Sequence, residues 1–200
     1  MDSSSANATH ERVMSRNDTR DANIVSVVVR ALRMYQWSKN LLVFAALVFA
    51  HQLHLPEQVF RSVLAFVAFC AASSAMYLFN DIIDIENDRA HPTKCRRPVA
   101  SGALPVPAAS ILILLLTIMA IATAYAVGVG FVGMLIVYLA MTAAYTLKLK
   151  HVLIVDVLIV ALGFVVRAIA GAVALDVTFS NWLAVCTLFL ALFLALSKRR

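Results

Sequence analysis

The chain has 200 residues, a net charge of +6, 62% hydrophobic residues and a mean hydropathy of +0.86. This is too apolar for a soluble globule and points to an all-α, polytopic membrane protein. The basic residues lie at the ends of apolar runs, so the positive-inside rule accounts for the charge and no nucleic-acid partner is implied. Cys70, Cys95 and Cys186 lie far apart without CxxC or metal-ligand spacing, so neither a disulfide framework nor a zinc site is indicated.

Residues 1–30 are polar and mixed in charge, with no early apolar run. They read as a disordered cytoplasmic tail without a cleavable signal, leaving 31–200 as the transmembrane domain. A first span is expected over about 37–54. It opens on Gln36, Lys39 and Asn40, which share a face at helical offsets 0, 3 and 4, while Tyr35 and Trp37 suit the membrane interface. Interfacial anchoring explains Trp37, and snorkelling would explain Lys39. Neither explains Gln36 and Asn40. His51 and His54 at its far end read as loop residues, with a metal pair as the alternative.

A second span is expected over about 62–80, where Ser62 to Asn80 carries no charge. Its small residues, Ala71 to Ala75, permit close helix packing. It runs into Asn80-Asp81-Ile82-Ile83-Asp84-Ile85-Glu86-Asn87-Asp88. Asp81, Asp84 and Asp88 stand at offsets 0, 3 and 7, on one helical face, with Asn80 at its edge. Like charges so placed repel. A divalent cation such as Mg²⁺ reverses that cost, because it takes hard oxygen ligands and bridges carboxylates to phosphates. The plain alternative is a solvated helix end. A cationic, proline-bearing loop follows, with Arg89, Lys94 and Arg97 as phosphate partners.

No charge occurs from Pro98 to Leu147. As one helix this stretch would run to about 75 Å, so it must turn, and Gly128-Val129-Gly130 is the place. Spans three and four are therefore expected at about 105–126 and 131–147, ending near Tyr145, Lys148 and Lys150. A fifth span, about 152–174, carries Asp156 and Arg167. Intramembrane charges are functional by default, and a polar cavity accounts for them better than a purely structural ion pair. A sixth span is expected at about 177–197, ending at Lys198. Of the 17 Lys and Arg, all but Arg61 and Arg167 fall on one side, which makes that side, with the N-terminus and the acidic motif, cytoplasmic.

The run of Asn80, Asp81, Asp84 and Asp88 after the second span resembles the first signature of the UbiA superfamily of intramembrane prenyltransferases. That resemblance implies that these four residues bind Mg²⁺-diphosphate. Arg33 with Gln36 to Leu41, the run from Asn80 to Lys94, Arg97 to Gly102, and Leu162 to Gly171 are similar to the decaprenyl-phosphate phosphoribosyltransferase branch. It implies transfer of 5-phosphoribosyl from phosphoribosyl pyrophosphate to a polyprenyl phosphate in a bacterial plasma membrane. On that reading Asp81, Asp84 and Asp88 are catalytic. Gln36, Lys39, Asn40, Asn80, Arg89, Lys94, Arg97, Tyr145, Lys148, Lys150, Arg167 and Lys198 bind substrate. Met34 and Cys95 depart from the branch, where proline and a basic residue are usual. The superfamily's second acidic motif is replaced by Lys198-Arg199-Arg200, which suits extra phosphates rather than a second metal. The nearest rival is a prenyltransferase acting on an aromatic acceptor. A CDP-alcohol phosphotransferase and a transporter fit the motifs less well. Six spans against a usual nine also imply a shortened or inactive member, or helices supplied by another copy or a partner.

Overall fold

The computed structural model describes residues 24–148, 153–178, 182, 185–189 and 193. Helix α1 covers 24–32. It extends into the stretch read as tail because Val27 and Ala31 pack with Leu78, Val99 and Leu104. A 3-10 segment, Met34–Phe44, leads into the short helix α2, Ala45–Phe49. Then come α3 (Pro56–Ile83), α4 (Ile85–Ala90), α5 (Val106–Val127), α6 (Val129–Leu147) and α7 (Leu153–Leu175).

Four of the described helices are long and apolar enough to cross a membrane, not the six expected. They are Pro56–Ile83, Val106–Val127, Val129–Leu147 and Leu158–Leu175. The expected sixth span lies largely outside the described residues.

The expected first span is not a continuous α-helix. Arg33, in the left-handed region at φ 50°, starts a 3-10 stretch instead. With three residues per turn, positions 37, 40 and 43 stack in one row, which Ala46 at the start of α2 continues. That row is the one pinned inward: Trp37 bonds Ser74, and Asn40, Val43 and Ala46 are buried. A 3-10 stretch rises about 2 Å per residue. Its 11 residues plus α2 thus reach from the Asp81 end to the opposite end, where Ala46 and Leu47 meet Ala172 and Leu175. The approach to α7 is close enough to require glycine, since a Cβ on Gly171 would stand 2.1 Å from the Val43 carbonyl oxygen.

Helix α3 is the central element. Its small residues from Cys70 to Ala75 are buried, as the sequence predicts for close packing. Phe69 stands edge-on to Phe131 and Tyr138 of α6, with ring centroids 5.8 and 5.2 Å away. The turn between α5 and α6 is Gly128 alone, at φ 151°, which L side chains rarely adopt. Arg61 donates to the Val127 carbonyl there, closing the end of α5.

Candidate active site

Helix α3 carries Asn80 and Asp81 to the end of the bundle and stops at Asp84, at φ −94°, ψ 10°. The i→i+4 bonds continue across this joint, from Asp84 N to Asn80 O and from Asp88 N to Asp84 O. The two-turn offset from Asp81 to Asp88 is therefore kept. Both carboxylates are buried, and one guanidinium reaches both. Arg97 Nη1 lies 3.2 Å from Asp81 Oδ1 and 2.6 Å from Asp88 Oδ2. Arg33 Nη2 adds a second cation 2.5 Å from Asp81 Oδ1. Two buried like charges are thus neutralised by two arginines from separate parts of the chain.

The loop after α4 is built to aim Arg97. Pro98, Val99 and Ala100 are buried, and Leu104 N bonds the Pro98 carbonyl. Arg89 is exposed and spans from Glu86 to the Ala100 carbonyl, and Lys94 is exposed. The His91 ring accepts from the Thr93 and Lys94 backbone and so shapes the turn.

Just inside the acidic cluster lies a cavity of about 270 Å³. Arg33, Lys39 and Arg167 give it three cations, and Asn80, Tyr77, Tyr138 and Tyr145 are among its polar lining. Met76, Met141, Ile159, Val160 and Phe164 form an apolar side. The buried Arg167 donates to Asn40 Oδ1 at 2.8 Å, Gly163 O at 2.7 Å and Tyr138 Oη at 2.9 Å. Its guanidinium also stands 4.7 Å from the Tyr138 ring centroid.

The expected site residues are thus gathered unequally. Asn80, Lys39, Tyr145 and Arg167 share the cavity wall. Asn40 is entirely buried behind it. Gln36 is half-buried and is not among the residues that line the cavity. Lys148 is exposed at the end of α6, while Lys150 and Lys198 lie outside the described residues, as does the side chain of Asp156. Trp37 is not an interfacial anchor alone, because its Nε1 donates to Ser74 Oγ inside the bundle. His51 and His54 are exposed at the opposite end from the acids. Arg33 stands in a stretch that carries the family resemblance but is not singled out there as a site residue, and Tyr138 signals only by being a polar ring inside a span.

The hard carboxylate oxygens of Asp81, Asp84 and Asp88 are of the type that suits Mg²⁺, but Asp81 and Asp88 are brought together around the Arg97 guanidinium. Among the described residues, no three His, Cys, Asp or Glu side chains converge as an ion-binding group. Arginine takes the place of counter-charge here.

Taken together, the bundle and its acid-and-arginine end define a multi-pass membrane protein with a cavity lined by three cationic side chains. The UbiA prenyltransferase family pattern matches residues 40–197, and the chain belongs to that family of membrane-embedded transferases. Among its relatives, the decaprenyl-phosphate phosphoribosyltransferase of Mycolicibacterium smegmatis is 40% identical over 181 residues, covering 88% of this chain and 57% of that one. The Corynebacterium glutamicum protein of the same name is 38% identical, covering 88% and 54%. The chain therefore spans little more than half the length of these relatives. Among solved structures, a UbiA homolog from Archaeoglobus fulgidus bound to DMAPP and Mg²⁺ matches with a TM-score of 0.69 at 21% identity, covering 82% of this chain and 59% of that one. A digeranylgeranylglyceryl phosphate synthase matches with a TM-score of 0.71 at 17% identity, covering 84% and 58%. These two likenesses are of fold.

Proposed function

We propose that the chain takes part in transfer of 5-phosphoribosyl from phosphoribosyl pyrophosphate to a polyprenyl phosphate. The observation that carries this reading is the set of three cations, Arg33, Lys39 and Arg167, around one cavity beside the acidic cluster. A donor with a diphosphate and a separate 5-phosphate needs more cationic partners than a metal-bound diphosphate alone. Asp81, Asp84 and Asp88, with Asn80 beside them, would hold Mg²⁺, which when bound neutralises charge on the diphosphate. Arg97 and Arg33 stand ready to exchange carboxylate for phosphate oxygens. In the reaction the bond from the ribose anomeric carbon to the pyrophosphate oxygen breaks. A lipid phosphate oxygen forms the new bond, and pyrophosphate leaves. The attacking oxygen is already anionic, so no strong general base is required. Arg89, Lys94 and Lys148 lie at the same end and would assist the approach of anions. The charge asymmetry supports a cytoplasmic position for this end.

A second reading has its own support. The apolar side of the cavity, with Met76, Met141 and Phe164, would accept a prenyl chain. The Archaeoglobus fulgidus homolog of the same fold is known bound to Mg²⁺ with DMAPP and with GPP, which makes a prenyl diphosphate the donor to test beside the phosphoribosyl one. The named relatives favour the phosphoribosyl donor.

The deciding assay uses membranes containing the chain and Mg²⁺, with labelled phosphoribosyl pyrophosphate and polyprenyl phosphate in one arm and labelled prenyl diphosphate and an aromatic acceptor in the other, beside an Asp84→Asn control. Phosphoribosyl label entering the lipid fraction, and lost in the control, is the expected result. Transfer from prenyl diphosphate to an aromatic acceptor alone would replace the first reading by the second. Donor binding without transfer would assign acceptor binding to the part of its relatives that this chain does not span.

A further inference from the structure

Asn40 is a polar residue that no substrate in the cavity touches, since it is entirely buried. Its amide is nevertheless used at both ends. Nδ2 donates to Cys70 Sγ at 3.3 Å and Ser73 Oγ at 3.2 Å, and Oδ1 accepts from Arg167 Nε at 2.8 Å. Ser73 Oγ in turn donates to the Cys70 carbonyl, which fixes the hydroxyl as an acceptor toward Asn40. The network therefore orients the amide, and the amide orients the guanidinium.

The chemistry of the three groups holding Arg167 is the second observation. An amide oxygen, a main-chain carbonyl and a phenol oxygen are all neutral acceptors. Among the described residues no carboxylate forms an ion pair with it. These contacts use three of the five N–H bonds of the guanidinium and, being neutral, cancel none of its charge. A cation so buried is costly without a counter-charge. It lines the cavity, where a bound anion would supply that charge. Gly163 completes the fit, since a Cβ at that position would meet Arg167 Nη1 at 3.2 Å.

We infer that Asn40 is a positioning residue: it fixes Arg167 at the cavity wall through a neutral acceptor, so that the guanidinium is held in place yet keeps its full charge for a phosphate group of the donor. This rests on the donor being a phosphate-bearing anion, as proposed above. Asparagine meets the requirement and aspartate does not, although the two have the same shape. Aspartate would hold Arg167 at least as firmly, because its carboxylate accepts from the guanidinium with full charge and the Cys70 thiol can turn to donate to it. It would also cancel the charge.

The test is equilibrium binding of phosphoribosyl pyrophosphate and of inorganic pyrophosphate, with Mg²⁺, to the full chain in lipid nanodiscs. Thermal denaturation is followed on the same samples. Asn40→Asp is expected to weaken binding of at least one of these anions by about tenfold or more, the scale of a lost charge-assisted contact, without lowering the denaturation midpoint. Asn40→Leu is expected to weaken binding and lower the midpoint. Gly163→Ala, which adds no charge, is expected to weaken binding several-fold. A merely structural Asn40 would make affinity follow stability across the variants. Unchanged affinity for both anions in a folded Asn40→Asp protein would overturn the inference. Equal wild-type affinity for the two anions would instead overturn the phosphoribosyl donor and leave the Asn40 comparison readable. A wild type binding neither anion would overturn both.

Discussion

At the residue scale, Arg97 does what the acidic motif cannot do for itself. Two carboxylates with almost no exposed surface share one guanidinium, and Asp81 has a second in Arg33. Removing Arg97 leaves charge buried with less compensation. Arg97→Gln is expected to lower stability in metal-free buffer by about 1.5–3 kcal/mol, the range for hydrogen bonds to charged groups. Mg²⁺ should then restore more stability to the variant than it adds to the wild type, because a cation can take over the neutralising role. Thermal denaturation with and without Mg²⁺ checks both statements, and an unchanged midpoint in metal-free buffer would contradict the first. The sequence displayed the acids and the basic loop but not their pairing. Spacing along a helix tells which acids share a face. It does not tell which of Arg89, Lys94, Arg96 and Arg97 folds back to them, because the loop's course depends on the burial of Pro98 to Ala100.

At the scale of elements, the 3-10 segment is the point where an apolar stretch misleads. Hydropathy over 37–54 predicts an α-helical span, and an α-helical count puts Gln36, Lys39 and Asn40 on one face. With three residues per turn, Asn40 instead joins Trp37 and Val43 in the inward row, while Lys39 reaches the cavity. Nothing in the local sequence separates the two periodicities. The choice is made by Ser73, Ser74 and Arg167 on neighbouring helices, which satisfy Trp37 and Asn40. The same closeness makes Gly171 sensitive. In Gly171→Ala the new methyl would overlap the Val43 carbonyl, so α7 and the segment must part. A loss of about 1–3 kcal/mol is expected, typical of overpacking, read as a lowered denaturation midpoint in detergent or nanodiscs. An unchanged midpoint would mean that the two backbones do not approach as described. The α5–α6 turn behaves oppositely. It was legible in the sequence, because a charge-free stretch too long for one bilayer crossing has to reverse, and Gly128 supplies the φ this reversal needs.

At the scale of the molecule, Arg33, Asp81 and Arg97 meet at one end, while Arg61, Gly128 and Leu175 belong to the other. This polarity agrees with the distribution of Lys and Arg along the chain and makes orientation testable. With the acidic end in the cytoplasm, Cys95 in the basic loop should resist a membrane-impermeant maleimide in intact cells and react in inverted vesicles. Cys95 is partly exposed; a Cys186→Ser background removes the exposed thiol, and Cys70 is buried. Labelling in intact cells and not in inverted vesicles would reverse the proposed orientation.

The sequence by itself determined the class of protein, the place of the acidic motif at a span end, the turn at Gly128 and the small-residue face of α3. Each follows from local composition or spacing acting over a few turns. Only the tertiary structure decided that Arg33 and Arg97 clasp the acids, that the first traverse is a 3-10 stretch, and that Asn40 stands behind Arg167. In the apolar interior a polar group must find its partner wherever another segment presents one. These partners lie from 9 to 127 residues apart in the chain, beyond the reach of any local pattern.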